Sequence, residues 1–237
     1  MHLKMENRIQ ILSTRPIQQS LIKDARDNGI DIDELTFIAT HPIQSKLVDK
    51  EIDNALKQTA TIVFTSMNAV EVVGQQIKEH QPNWKIYCIG TTTQQLVAEF
   101  FGQNAIAGTS NDAASLAQLI IKDQPKEKLI FFCGDQRRDE LPELLKKHSV
   151  ESKEVIVYKT NAIHHLIQKK YDGILFFSPS AVESFFSNNQ LSENTVLFAI
   201  GNTTAKELKK HSNNKIVISN EPGKENLAKT MIAFFKS

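Results

Sequence analysis

The chain has 237 residues, of which 41% are hydrophobic and 23% are charged, a composition typical of a globular protein with proper cores. Its 28 basic and 27 acidic residues nearly cancel, which argues against nucleic acid as a partner. No apolar run reaches the roughly 18 residues that a membrane span needs. The first ten residues also lack the apolar stretch of a secretory signal, so we expect a cytoplasmic protein and no membrane partner.

The predicted elements begin with a strand at residues 8–13 and a helix that has Pro16 in its first turn and ends at Gly29. Residues 30–42 and 153–162 are predicted to be extended connectors. Between the connectors, strands are expected at residues 61–65, 85–89, near 106 and 129–133, with helices from Asn68, about Thr93, Asp112 and through Asp139. After them, strands are expected at residues 173–177, 196–200 and 215–219, with helices from Ser180, Thr204 and Lys224. This alternation predicts parallel sheets with helices on both faces.

The chain contains an internal repeat. IVFTSMNAVEVV (62–73) resembles ILFFSPSAVESFF (174–186), and Gly90 and Gly201 of two further matching turns are 111 positions apart. The second copy lacks a final strand and helix, which the first strand and helix of the chain supply by circular permutation. The predicted fold is therefore α/β, with two similar doubly wound parallel-sheet domains joined by a two-stranded extended linker. We predict one discontinuous domain, 1–38 plus 162–237, and one inserted domain, 39–161.

Small polar turns follow the predicted strands, where doubly wound sheets bind their ligands. Three helix starts have the spacing of capping boxes: Asn68 with Glu71, Ser180 with Glu183, and Thr204 with Glu207. Each one by itself is typical of plain helix capping. Two such rims facing each other across a hinge would make a cleft lined with N–H and O–H donors, which suits a ligand with many carboxylates.

Nucleotide and metal chemistry find no support in the chain. It lacks G-x-G-x-x-G and G-x-x-x-x-G-K-[ST], and its Cys and His residues lack the spacing of metal ligands, so we expect no cofactor and no metal. Cys88 and Cys133 are predicted to be reduced core residues. Arg15, in an otherwise uncharged turn, is a better candidate for a carboxylate contact than Arg137 or Arg138, for which a surface salt bridge is the alternative.

The motifs STRP (13–16), FTSMNAV (64–70), IGTTT (89–93), CGDQRRDELPELL (133–145), VYKT (157–160), FFSPSAVESF (176–185), AIGNTTAKEL (199–208) and EPGKENL (221–227) together resemble uroporphyrinogen-III synthases. The resemblance implies a linear tetrapyrrole substrate, hydroxymethylbilane. It implies loss of the terminal hydroxyl and cyclisation with inversion of the last pyrrole ring through a spirocyclic intermediate, without a cofactor. The preceding deaminase of the pathway is implied as a partner, and we expect a monomer.

By position, Tyr158 matches the family tyrosine that donates a proton to the leaving hydroxyl. We predict these substrate-binding residues: Arg15, Thr65, Ser66, Asn68, Gly90, Thr93, Gly134, Asp135, Ser178, Ser180, Ala181, Gly201, Thr203 and Thr204. The two rims are not equivalent, since Phe177 stands where the first copy has Thr65.

Two alternatives remain at this point. The first is a cofactor-free binding module for polycarboxylate ligands. The second is a regulator with two receiver-like domains, which needs an acidic phosphoacceptor cluster after the first strand, where the chain has Ser13 and Thr14.

Overall fold

The structure, a computed structural model, describes residues 8–77, 81–221 and 223–236. Pro222 of the EPGKENL motif and residues 1–7 of the predicted first domain lie outside them. The chain divides into two compact units, which we call unit 1 (Met1–Ala39 with Asn161–Ser237) and unit 2 (Thr40–Thr160). Each unit has its own sheet.

Strands and helices alternate along most of the described chain. The strands are β1 (Ile9–Ser13), β2 (Ile30–Glu34), β3 (Ile38–Pro42), β4 (Ala60–Phe64), β5 (Trp84–Ile89), β6 (Ile106–Ser110), β7 (Leu129–Gly134), β8 (Ser152–Ala162), β9 (Gly173–Phe176), β10 (Val196–Ala199) and β11 (Ile216–Ile218). The α-helices are α1 (Gln19–Asp27), α2 (Lys46–Leu56), α3 (Met67–Gly74), α4 (Thr91–Phe101), α5 (Ala113–Asp123), α6 (Glu140–Lys147), α7 (Pro179–Phe186), α8 (Asn202–His211) and α9 (Lys224–Lys236).

The two sheets have the same spatial order of strands, but the chain begins at a different position of that order in each sheet. Unit 1 has the order β11-β10-β9-β1-β2, with parallel pairing throughout. In unit 2 the order is β6-β5-β4-β7-β8-β3, with parallel pairing from β6 to β8. The N-terminal strands β1 and β2 thus hold the places in unit 1 that β7 and β8 hold in unit 2. The predicted fold class, two similar doubly wound parallel-sheet domains, is confirmed.

Both faces of each sheet are covered, as parallel sheets require. Strand β4 reads ATIVF and is buried along its whole length. Its Ile62 belongs to one core cluster and its Val63 to another, because successive side chains point to opposite faces of the sheet. Ile11 and Leu12 of β1 divide in the same way between two clusters in unit 1. The continuous apolar runs of the sequence are therefore central strands.

The structure corrects the sequence prediction between residues 16 and 56. Residues 30–42 are not one connector: β2 pairs with β1 in unit 1, whereas β3 lies beside β8 in the sheet of unit 2. The first helix begins at Gln19, after Pro16, because the N–H of Ile17 donates to Glu34 Oε1 and holds that segment as a loop. Helix α2, capped by Ser45, was not predicted at all.

The two cysteines are buried and unpaired, as predicted. Burial raises the pKa of Cys88 to about 11 and that of Cys133 to about 12, so both stay as thiols at neutral pH. Among the described helices, none is long and apolar enough to cross a membrane. The part of the chain that the structure describes also contains no group of three acidic, His or Cys side chains suited to a metal ion.

Candidate active site

The polar turn after β4 in unit 2 begins the candidate site. Ser66 directly follows Thr65 and takes an extended conformation, with φ −149° and ψ 136°, before α3 starts at Met67. Its Oγ accepts a hydrogen bond of 3.2 Å from the N–H of Asn68. Thr65, Ser66 and Asn68 are all half-buried, so the turn is neither in the core nor fully in solvent.

Tyr158 lies at the same edge of the sheet, on β8. Its phenol hydroxyl donates to Ser66 Oγ at 3.1 Å, although the two residues are 92 positions apart in sequence. The side chain is half-buried. A small groove beside it is lined by Tyr158, Asn68, Glu71, Thr40 and His41, among others. The structure thus unites Tyr158 with two of the predicted binding residues of unit 2.

The turn after β7 holds the strand that carries Tyr158. The backbone N–H of Asp135 donates to the carbonyl oxygen of Tyr158 at 3.1 Å, and Asp135 Oδ1 accepts from the N–H of Thr160 at 2.9 Å. Gly134 packs under the Tyr158 ring. Arg137 forms ion pairs with Asp139 and Glu154, so its guanidinium is occupied by protein carboxylates.

A second donor group in unit 2 is the start of α4. Gly90 precedes the helix with φ 84° and ψ 150°, a region that only glycine visits readily, and no side chain caps the first turn. The N–H groups of that turn are therefore open to an anion. Thr93 is only 6% exposed, whereas Thr91 and Thr92 are exposed. The IGTTT motif predicts Thr93 as the contact, whereas the exposed hydroxyls of this turn belong to Thr91 and Thr92.

Unit 1 presents a cation at the corresponding edge of its sheet. Arg15 is half-buried, and its guanidinium carbon lies 5.9 Å from the centroid of the Phe177 ring. Burial lowers the pKa of Arg15 from its ordinary value, yet arginine keeps its charge at neutral pH. No carboxylate within the described ranges forms an ion pair with it.

Lys224 is a further cation at this edge that sequence reasoning missed. It is the first residue of α9. Much of its side chain is in solvent, but the part that the protein covers lowers its pKa, and the positive charge of Arg15 lowers the pKa further. The charge of Arg15 thus disfavours the charged form of Lys224, and an anion bound near both would relieve that repulsion. The predicted helix start at Lys224 could have pointed to this residue. A helix start that follows a strand lies at the carboxyl edge of the sheet, where doubly wound sheets bind ligands.

The remaining predicted residues lie at the starts of α7 and α8. Ser178 caps α7, and its Oγ accepts from the N–H of Ala181 at 3.2 Å, so that N–H is already bonded within the protein. Ser180 is half-buried in the first turn. Gly201 precedes α8 without a side-chain cap, which leaves open donors. Thr203 of that turn is half-buried, whereas Thr204 is 2% exposed.

The three predicted capping boxes are wrong. The caps are Ser66, Ser178 and Gly201, so Asn68, Ser180 and Thr204 lie inside the first turns of α3, α7 and α8. The helices begin earlier than predicted because each cap is the second residue after the end of a strand, still in an extended conformation.

The model of the family described as uroporphyrinogen-III synthase HemD matches residues 19–229. The chain belongs to the uroporphyrinogen-III synthase family. Two curated relatives bear that name: one from Saccharomyces cerevisiae, 25% identical over 223 residues, and one from Schizosaccharomyces pombe, 26% identical over 212 residues. The alignments cover 79% and 81% of this chain and 81% and 82% of the relatives.

Solved structures of the family show the same fold. A uroporphyrinogen-III synthetase from Helicobacter pylori aligns with a TM-score of 0.67 at 16% identity, covering 95% of this chain and 99% of that one. A mutant uroporphyrinogen III synthase from Thermus thermophilus aligns with a TM-score of 0.66 at 12% identity, covering 96% and 98%. The family identified from the motifs is confirmed.

Proposed function

We propose that this chain is a uroporphyrinogen-III synthase, which cyclises hydroxymethylbilane to uroporphyrinogen III with loss of water. Membership in the family over residues 19–229 supports the activity. The observation that supports the mechanism is the hydrogen bond from the Tyr158 hydroxyl to Ser66, the cap residue of α3. The alternatives of a passive polycarboxylate-binding module or a receiver-like regulator lack a comparable observation.

In the proposed reaction, Tyr158 gives its proton to the terminal hydroxyl of the substrate. The carbon–oxygen bond breaks, water leaves, and the electrons of the pyrrole stabilise the resulting cation. The substituted carbon of the last ring then attacks, and rearrangement of the spirocyclic intermediate closes the inverted ring. The proton released when that ring regains its aromaticity returns to the phenolate, so the net change is loss of one water.

Ser66 is suited to assist the phenol. A serine hydroxyl has one donor and two acceptor sites, and the N–H of Asn68 uses one acceptor. When Tyr158 donates to the substrate, the Ser66 hydroxyl can rotate and donate to the phenolate oxygen. This bond stabilises the negative charge that develops in the transition state.

The substrate carboxylates are proposed to bind donors that the protein does not use internally. These are the uncapped N–H groups after Gly90 and Gly201, and the guanidinium of Arg15. The hydroxyls and amides of the other turns add neutral hydrogen bonds. Holding a flexible chain in one conformation is the main task, because unaided closure gives the uninverted isomer. The residues proposed to contact substrate are Arg15, Thr65, Ser66, Asn68, Gly90, Ser178, Ser180, Gly201 and Thr203. Thr93, Ala181 and Thr204, also predicted from the sequence, are buried, and we propose that they support these turns from below.

We also propose that the protein is a cytoplasmic monomer that receives its substrate from the preceding deaminase. These assignments rest on the family resemblance and the near-neutral composition. Size-exclusion chromatography with light scattering, with and without that deaminase, tests the oligomeric state and the partnership.

The activity is tested by product analysis. The purified chain is incubated with freshly prepared hydroxymethylbilane, the products are oxidised to porphyrins, and the type I and type III isomers are separated. We expect mainly type III, against type I in a reaction without protein. Type I alone would contradict the proposal, and binding of the substrate without a change in isomer ratio would support the binding-module alternative.

A further inference from the structure

Strand β8 is irregular at the point where it carries Tyr158. Along β7 and β8 the partners advance one residue at a time from Leu129 with Ser152 to Cys133 with Ile156. The next pair is Gly134 with Tyr158, so one residue of β8, Val157, is passed over. A bulge of this kind rotates the following side chain relative to the regular ladder. Here it brings the Tyr158 ring over Gly134.

Gly134 leaves the space that the ring occupies. A Cβ atom at this position would lie less than 3.0 Å from Cζ, Cε2 and Oη of Tyr158, which is closer than real Cβ contacts allow. Gly134 is buried, and its conformation does not require positive φ. The requirement for glycine is therefore steric, and it is imposed by the phenol.

Asp135 and Gln136 fix the same strand from the other side of the turn. Asp135 bonds the carbonyl of Tyr158 and the N–H of Thr160, and Gln136 Nε2 donates to the carbonyl of Thr160 at 3.2 Å. The Asp135 carboxylate would repel the carboxylates of the substrate, and its oxygen is already engaged by the backbone. These contacts assign the turn to Tyr158 rather than to the ligand.

We propose that Gly134 and Asp135 are positioning residues for Tyr158, an inference that rests on the proposed function. Gly134 sets where the phenol hydroxyl lies relative to Ser66, and Asp135 holds the bulged strand in register. Neither contacts the substrate. This replaces the sequence-based prediction that both residues bind it.

Unit 2 contains a natural control. Tyr87 on β5 pairs with Gly108 on β6, again directly after a register shift. A Cβ at Gly108 would lie less than 3.0 Å from Leu119 Cδ2 and 3.0 Å from two ring atoms of Tyr87. The hydroxyl of Tyr87, however, donates to Asp123 at 2.8 Å, and the residue is 3% exposed. Gly108→Ala therefore adds a methyl group beneath a tyrosine ring of the same sheet, but this tyrosine is not part of the candidate site.

The first readout does not depend on activity. The chain has three tyrosines, so labelling with tyrosine carrying ¹³C at Cζ gives three NMR signals, which Tyr→Phe variants assign. We expect Gly134→Ala to shift the Tyr158 signal and leave that of Tyr87 in place, and Gly108→Ala to do the reverse. A Tyr158 signal unmoved by Gly134→Ala overturns the proposal, whether or not the chain is a synthase.

The second readout is kinetic. We expect Gly134→Ala to lower kcat at least tenfold with KM within twofold, Gly108→Ala to retain both, and Gly134→Ala combined with Tyr158→Phe to be no slower than Tyr158→Phe alone. Asp135→Ala adds no atoms and should lower kcat severalfold. This variant tests the proposal if Gly134→Ala does not fold. Additive losses in the double variant, or a rise in KM alone for Asp135→Ala, would overturn the positioning role. Absence of type III product from the wild-type chain would instead contradict the proposed function.

Discussion

The turns after β4 and β9 descend from one repeat, yet they present different chemistry. In unit 2, Ser66 caps α3 and also accepts a hydrogen bond from Tyr158. In unit 1, Ser178 caps α7 in the same way, but the neighbouring group is the Arg15 guanidinium over the Phe177 ring. One turn is hydrogen-bonded to a tyrosine hydroxyl, and the other lies beside a cation.

Under the proposed function, this difference predicts a division of labour: the two units have different roles, one in the chemical step and the other in substrate binding. The capping serine serves the helix in both units, so the cap alone has no bearing on function. The units differ in the residue that lies beside the turn. It is Tyr158 of β8 in unit 2 and Arg15 of the loop after β1 in unit 1. We therefore expect changes around Ser66 to affect turnover, and changes around Arg15 to affect substrate binding.

The largest effect is expected for Tyr158→Phe, which removes the proton donor and keeps the ring over Gly134. General acid catalysis contributes about 10²- to 10⁴-fold, so kcat should fall at least a hundredfold while KM changes little. Steady-state kinetics measures both. Tyr171→Phe is the control, since Tyr171 hydrogen-bonds Asp33 in unit 1 at 2.8 Å and should affect stability alone. An unchanged kcat for Tyr158→Phe would remove the phenol from the acid role.

The next effect is expected for Arg15→Ala. Loss of a charged hydrogen bond to a carboxylate costs about 1.5–3 kcal/mol, so KM should rise roughly tenfold or more with kcat largely retained. Arg15→Lys should recover only part of the affinity, because an ammonium cannot form the planar two-pronged contact. Arg8→Ala, which breaks the exposed pair with Asp31, is the matched control and should leave KM unchanged. A fall in kcat at constant KM would contradict the binding role.

A smaller effect is expected for Ser66→Ala. Loss of one neutral hydrogen bond to the phenol, worth about 0.5–1.5 kcal/mol, should lower kcat by roughly twofold to tenfold. The lost cap should also cost about 1 kcal/mol of stability. Ser45→Ala removes a serine cap of the same type from α2 in the same unit, where no phenol is bonded. Equal kcat values in the two variants would show that Ser66 is a cap alone.

The last prediction concerns stability at the two glycine turns, with no expected change in the chemical step. Gly90 has φ +84°, so Gly90→Ala is strained and should cost about 1–3 kcal/mol of the free energy of unfolding. Gly201 has φ −178° and open space where a Cβ would lie, so Gly201→Ala should cost much less. Chemical denaturation measures both. Equal losses would show that the two turns do not differ in backbone strain.

Much of the fold was predictable because buried parallel strands are continuous apolar runs. Strand β4, for example, is one residue offset from its predicted limits, and α5 starts at Ala113, one residue after its predicted start at Asp112. Residues 30–42 were misjudged because alternation alone does not say which sheet a strand joins. Helix α2 was missed although its sequence carries the signal. Ser45 is the cap, and the apolar residues of KLVDKEIDNAL that share one helical face are Val48, Ile52, Ala55 and Leu56.

The candidate site was predictable only in part. The motifs pointed to Tyr158 and to the turns, because they occur in this sequence in the order that is typical of the family. The Tyr158 to Ser66 bond joins residues 92 positions apart, and the bulge over Gly134 depends on the register of two strands. Neither leaves a local signal in the sequence. The hydrogen bond from the Ala181 N–H to Ser178 Oγ was likewise not predictable, because it depends on Ser178 being the cap of α7.

The division of labour is tested most directly by single-turnover conversion of hydroxymethylbilane over a range of enzyme concentrations. This measurement gives the rate constant at saturation and the apparent substrate affinity separately for wild type, Tyr158→Phe and Arg15→Ala. We predict a saturating rate lowered at least a hundredfold at near-normal affinity for Tyr158→Phe, and a near-normal saturating rate at weakened affinity for Arg15→Ala. Equal losses of rate and affinity in both variants would contradict the account.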